Sequence, residues 1–89
     1  MNAKAAEALY QAEREGVPQI FGKFSKGRGR CALGVLLGAL GHETAQICRE
    51  NRTTCPLCGK ISLALIVHLN DDHRLTFSEI ARKLGPDSV

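Results

Sequence analysis

Four residues in the C-terminal half have the types and spacing to hold a metal ion. Cys55 and Cys58 are followed by His68 and His73, in the pattern C-x2-C-x9-H-x4-H. Two residues between cysteines let both sulfurs face one ion, while N–H groups around the turn hydrogen-bond the thiolates. Zinc accepts such a mixed sulfur–nitrogen set, since it asks only for four close ligands around a tetrahedron. Two thiolates cancel its charge, so the site can be buried without a net ion. A helix starting directly after Cys58 would carry His68 on the order of 10–15 Å along its axis. The return to His68 must therefore include a turn and a short extended stretch before its helix. A second ligand set replaces one histidine by Cys48, because C-x6-C-x2-C is also feasible. A thioredoxin-like redox pair would need a βαβ setting that the chain lacks. Asp71 or Asp72 could accept the outer ring N–H of a bound histidine and orient it. They serve equally well as solvated turn residues.

The segment 55–73 resembles the two-Cys, two-His zinc finger. The terminal H-x4-H fits that pattern, and the central spacer is three residues shorter than its usual twelve.

Other residues carry weaker chemical signals. Lys23, Lys26, Arg28 and Arg30 stand together with no carboxylate between them, and Gly27 and Gly29 leave room for close approach. Such a loop suits phosphate groups of a nucleic-acid backbone, although solvation alone would explain it. The glycines do not form a phosphate loop of the G-x-x-x-x-G-K-[ST] kind. Cys31, at the start of an apolar segment and beside Arg28 and Arg30, has the setting of an activated thiol. A small buried residue is the plainer reading for Cys31, as it is for Cys48, and no catalytic residue is expected.

The elements that must position these residues follow from pattern and punctuation. Residues 2–15 read as a helix with Asn2 as N-cap, an apolar stripe of Ala5, Leu9 and Ala12, and an end at Gly16 and Pro18. Residues 19–30 read as irregular or partly extended, with room for a short β-hairpin and with Ile20, Phe21 and Phe24 to bury. Residues 31–40 are apolar on every side and read as a central helix, with Gly34 and Gly38 on one face, where another element could approach closely, and Gly41 as its stop. Residues 42–51 form a weaker helix, and residues 62–70 a short one that residues 70–74 break, although Ile66 and Val67 would equally suit a buried strand. Thr76 and Glu79 fit a capping box ahead of a final helix that Gly85 and Pro86 end. Its Ile-Ala-x-x-Leu-Gly string is similar to the first helix of a helix-turn-helix, but no recognition helix follows. Phe77, Ile80 and Leu84 are expected to pack beneath the metal site.

A wider resemblance covers most of residues 20–84. The stretches GKFSKGRGRCALGVLLGALG and IVHLNDDHRLTFSEIARKL resemble a family of small uncharacterised bacterial and phage proteins. Its motifs are Cys-Ala-Leu-Gly-Ala, here with Val35 in the last place, and His-Leu-Asn-Asp-x-His ahead of a capped helix. An aromatic often follows the second histidine there, and Leu75 stands in that position here. The resemblance implies no activity.

Composition sets the outer bounds. The chain has 89 residues with three Phe, one Tyr and no Trp, thin material for a core, so a metal cross-link would matter. No signal peptide is visible and no apolar run approaches the roughly 20 residues that span a bilayer. A cytoplasmic place with four reduced cysteines is the expectation. The net charge of +3 is a mild excess that suits an anionic partner. These readings add up to one small, mainly α domain over residues 1–89 with a zinc knuckle, acting as a non-catalytic binding module. Its expected partner is nucleic acid or a nucleic-acid-associated protein. The alternative is a structural or protein-interaction adaptor, such as a phage-type regulator of a host protein.

Overall fold

Alanine and leucine at helical spacing build the first element, α1 (Ala3–Arg14), which buries Ala5, Ala6, Leu9 and Ala12 along one side. It ends on Gly16, whose φ of 72° lies in the left-handed region that favours glycine. Val17 N–H then reaches Ala12 O at 3.0 Å and Gly16 N–H reaches Glu13 O at 3.1 Å, which satisfies the last carbonyls. The computed structural model describes residues 3–23, 25–50, 54–62 and 64–84, with the backbone alone at 25 and 47–50. The expected caps and burial at Asn2 and Phe24, the side chain of Cys48 and the stop at Gly85 and Pro86 lie outside the described residues.

The partly extended stretch contains the hairpin that its glycines allow. Strands β1 (Ser25–Lys26) and β2 (Gly29–Arg30) pair antiparallel, with Ser25 opposite Arg30 and Lys26 opposite Gly29. Gly27 turns the hairpin at φ 58°. Residues 18–20 are sewn to β2 by Arg30 N–H to Pro18 O, 2.9 Å, and Ile20 N–H to Arg30 O, 3.0 Å. A side chain at Gly29 would strike Ile20, so only glycine allows this approach.

Cys31 precedes α2 (Ala32–Leu40) and caps it, its Sγ accepting from Gly34 N–H at 3.3 Å. The uniform apolarity of this segment suggests burial all round, and the structure differs. Ala32, Gly34 and Leu36 are buried, whereas Leu37 is 44% exposed and Ala39 faces outward. Its neighbours α1, α3, α4 and β2 do not cover the side that carries Leu37 and Ala39. Gly38, expected to admit a close neighbour, instead borders an open groove with Ala8, Gln11 and Ala39.

Helix α3 (Glu43–Glu50) follows α2 after one turn, and α4 (Leu65–Asp71) and α5 (Phe77–Leu84) complete the fold. The capping box is present: Thr76 N–H donates to Glu79 Oε1 at 3.0 Å and Glu79 N–H to Thr76 Oγ1 at 3.2 Å. Phe77, Ile80, Ala81 and Leu84 are buried, and α5 packs chiefly against α1 and less against α4. Its apolar face thus completes the main core with Leu9, Leu36, Ile66 and Leu69 rather than serving the metal residues alone. Helix α1 also packs on α2, and α2 on α3 and α4. The fold is small and mostly helical, and no described helix is long and apolar enough to cross a membrane.

One polar side chain holds the middle together. Asn70 on α4 is wholly buried, and its Oδ1 accepts from Ala32 N–H at 2.9 Å and Gln19 Nε2 at 2.8 Å. Its Nδ2 donates to Ile20 O at 3.0 Å and Asp71 Oδ1 at 2.7 Å. Helix α4 therefore runs through Asn70 and one residue beyond, where the sequence suggested a break.

Candidate metal centre

The Cys-Pro-Leu-Cys turn is closed by its backbone. Cys55 N–H donates to Lys60 O at 2.8 Å, and Gly59 N–H, from a residue at φ 76°, donates to Cys55 O at 2.9 Å. Thr54 and Ile61 form an antiparallel bridge beyond it. The chain thus reverses and runs briefly extended before α4 begins at Leu65, the compact return that the short spacer required. His68 then comes from α4. His73 follows a turn in which Asp72 N–H and His73 N–H both reach His68 O, at 2.9 and 3.3 Å. Arg74 leaves that turn at φ 53°, an unusual angle for a side-chain-bearing residue.

The four side chains converge. Cys55 Sγ lies 3.4 Å from His73 Nε2, and Cys58 Sγ lies 3.4 Å from His68 Nε2. One ligand atom from each of the four falls within 4.8 Å of every other. Atoms at 2.0–2.3 Å from a tetrahedral centre stand roughly 3.3–3.8 Å apart, so small adjustments would place all four on one ion. The donor set and its geometry fit a metal ion. Cys31 stands apart, buried as the cap of α2.

Electrostatics favour ligation. Burial pushes the Cys55 thiol up, but N–H groups of Leu57 and Cys58, with the Cys58 and His68 side chains, outweigh it and hold it at about 6. Leu57 N–H sits 3.4 Å from that sulfur. A thiol lowered this far is mostly thiolate at neutral pH, the form that binds metal. His68 Nδ1 is 2.6 Å from Asp72 Oδ2, so a proton held there leaves the Nε2 lone pair toward Cys58. Of the two aspartates, Asp72 takes this place while Asp71 receives Asn70. The His68 and His73 rings meet edge to face, 4.8 Å between centroids. Cys55 is buried and Cys58 exposed, so the centre opens to solvent on the Cys58 side.

The cationic loop is brought together only in part. Lys23, Lys26 and Arg28 are exposed, whereas Arg30 folds back and donates from Nη1 to Gly27 O at 2.8 Å and Gly29 O at 2.7 Å. Arg30 braces the hairpin turn. Nearby, Phe21 is 37% exposed rather than buried, with the Arg74 guanidinium 4.5 Å from its ring centroid. Sequence reasoning missed both this pair and the Asn70 network, whose partners are distant along the chain. No known family model, curated protein or solved structure matches the chain.

Proposed function

We propose that this chain is a non-catalytic, zinc-stabilised binding module whose partner is nucleic acid, met through the cationic hairpin. The convergence of Cys55, Cys58, His68 and His73 carries the reading. Two sulfurs and two nitrogens favour zinc over oxygen-seeking magnesium or calcium, and the turn over residues 55–59 would act as a zinc knuckle. The metal would join the end of the turn to α4 and stabilise a domain with few aromatics.

The exposed Lys23, Lys26 and Arg28 support an anionic partner, and among the described residues none of them has a carboxylate ion pair. Phosphate contacts release counterions, so affinity should fall by about 0.7–0.9 log units per contact for each tenfold rise in salt. A protein-interaction adaptor is the second reading, favoured by Leu57, 43% exposed, and Ile61, 79% exposed, beside the metal residues.

Metal analysis of the purified chain should find one zinc, lost in Cys58→Ser. A metal-free preparation with unchanged circular dichroism and melting would refute the zinc reading. Gel shifts at low salt with single- and double-stranded nucleic acid test the partner. Lys26→Ala with Arg28→Ala should weaken binding with zinc content unchanged. No shift at micromolar protein would put the adaptor in front.

A further inference from the structure

A cleft of about 470 Å³ lies between the start of α2, one side of α4 and the loop leading to β1. That volume is within the roughly 300–1,000 Å³ range of small-molecule pockets. Leu33, Ala64 and Val67 give it apolar walls, Cys31 adds a thiol, and among the described residues Lys23 and Asp71 supply its charges. Asn70 fixes this geometry: the same buried amide grips the first N–H of α2, the carbonyl of Ile20 and Asp71 Oδ1. Among the described residues no ion pair joins Lys23 to Asp71, and Asp71 Oδ2 has no hydrogen-bond partner. An apolar cleft lined also by a carboxylate and a cation is complementary to a flat ring with donors at one end and an anion at the other.

We propose that this cleft binds a guanine nucleotide. The base lies against Leu33 and Val67, its N1–H and exocyclic amino group donate to the Asp71 carboxylate, and its phosphate meets Lys23. Guanine is the base that presents two adjacent donors on one edge, matching the two oxygens of a carboxylate. Lys26 and Arg28 follow Lys23 in the chain and are exposed, so the nucleotide is either free or part of a single strand. The inference rests on the nucleic-acid reading above and gives it a base-recognition site.

Calorimetric titration of the purified chain tests it, with guanosine monophosphate, inosine monophosphate and a short guanine-containing single-stranded oligonucleotide as probes. Guanosine monophosphate should bind, and inosine monophosphate, which lacks the amino group, should bind about tenfold or more weakly. Asp71→Asn should cost at least about tenfold, and Leu33→Trp should block the cleft. Lys23→Ala, in an exposed loop, should weaken binding mainly at low salt. A much tighter oligonucleotide that competes with the mononucleotide identifies a strand as the source; equal affinities identify the free nucleotide. Melting and metal content of each variant separate misfolding from lost recognition, and Lys23→Ala decides if the other two do not fold. No binding at millimolar guanosine monophosphate and none of the oligonucleotide overturns the proposal. So does binding that ignores Asp71→Asn and Leu33→Trp. Oligonucleotide binding lost only with Lys26 and Arg28 would overturn the cleft and leave the hairpin reading standing.

Discussion

Asn70 shows how much one side chain can hold. Its amide is at 0% exposure and makes four hydrogen bonds, to Gln19, Ile20, Ala32 and Asp71. Replacing it with Ala strands the buried N–H of Ala32 and leaves the half-buried carbonyl of Ile20 without its donor. Asn70→Ala should therefore cost about 2–4 kcal/mol, read by denaturant unfolding. Asn70→Asp keeps the acceptor but loses the donor and adds a buried charge, so it should fare no better. Asp72 acts at the same scale by a different route. It is an exposed carboxylate whose importance lies in the ring it orients, 2.6 Å from His68 Nδ1. Asp72→Ala should lower metal affinity by about 10–100-fold in a chelator competition, while the metal-loaded fold is retained. An unchanged affinity would assign Asp72 to solvent.

At the scale of elements, the union of α1 and α5 is tied by a carboxylate. Glu13 on α1 accepts from the Ser78 hydroxyl and from Ser78 N–H at the start of α5. The hydroxyl bond holds the Glu13 carboxyl below its usual range against the opposing effect of burial, and the Ser78 N–H bond adds to the lowering. A carboxyl lowered by folding stabilises the fold above its unfolded pKa and loses that contribution as pH falls through its folded pKa. Melting temperature should fall with acid below about pH 4.5, and Glu13→Gln should flatten that slope; equal slopes would dismiss the tie. Elements like these were partly legible in sequence. The capping box at Thr76 and Glu79 and the stripe Ala5, Leu9 and Ala12 depend on neighbours a few residues away. So do the two cysteines of one turn and the two histidines, one in α4 and one just past it, and all were readable. Phe21 and Asn70 were not, because what decides them lies elsewhere in the chain: Arg74 for one, Gln19 and Ala32 for the other. The outward turn of Leu37 was hidden for a related reason, since apolarity reports a wish for burial but not the neighbours available.

Across the whole molecule, α4 joins three separate places in the fold. In seven residues it carries His68 to the metal residues, Asn70 into the centre, and Val67 and Asp71 to the cleft. A rod of two turns cannot shift at one side without shifting at the others. A metal bound through His68 would therefore be coupled to the buried amide, and what firms one would firm the other by the same free energy. The amide hydrogen of Ala32 offers a way to watch this. It lies on a different helix from every metal residue and is held by Asn70 Oδ1 at 2.9 Å. Its exchange with deuterated solvent should be slow with the metal bound and quicken when a chelator removes it. If the rate stays the same, the centre and the core fluctuate independently. If it changes, an ion at the surface is setting the lifetime of a hydrogen bond in the interior, and metal supply becomes a dial on the stiffness of the entire fold.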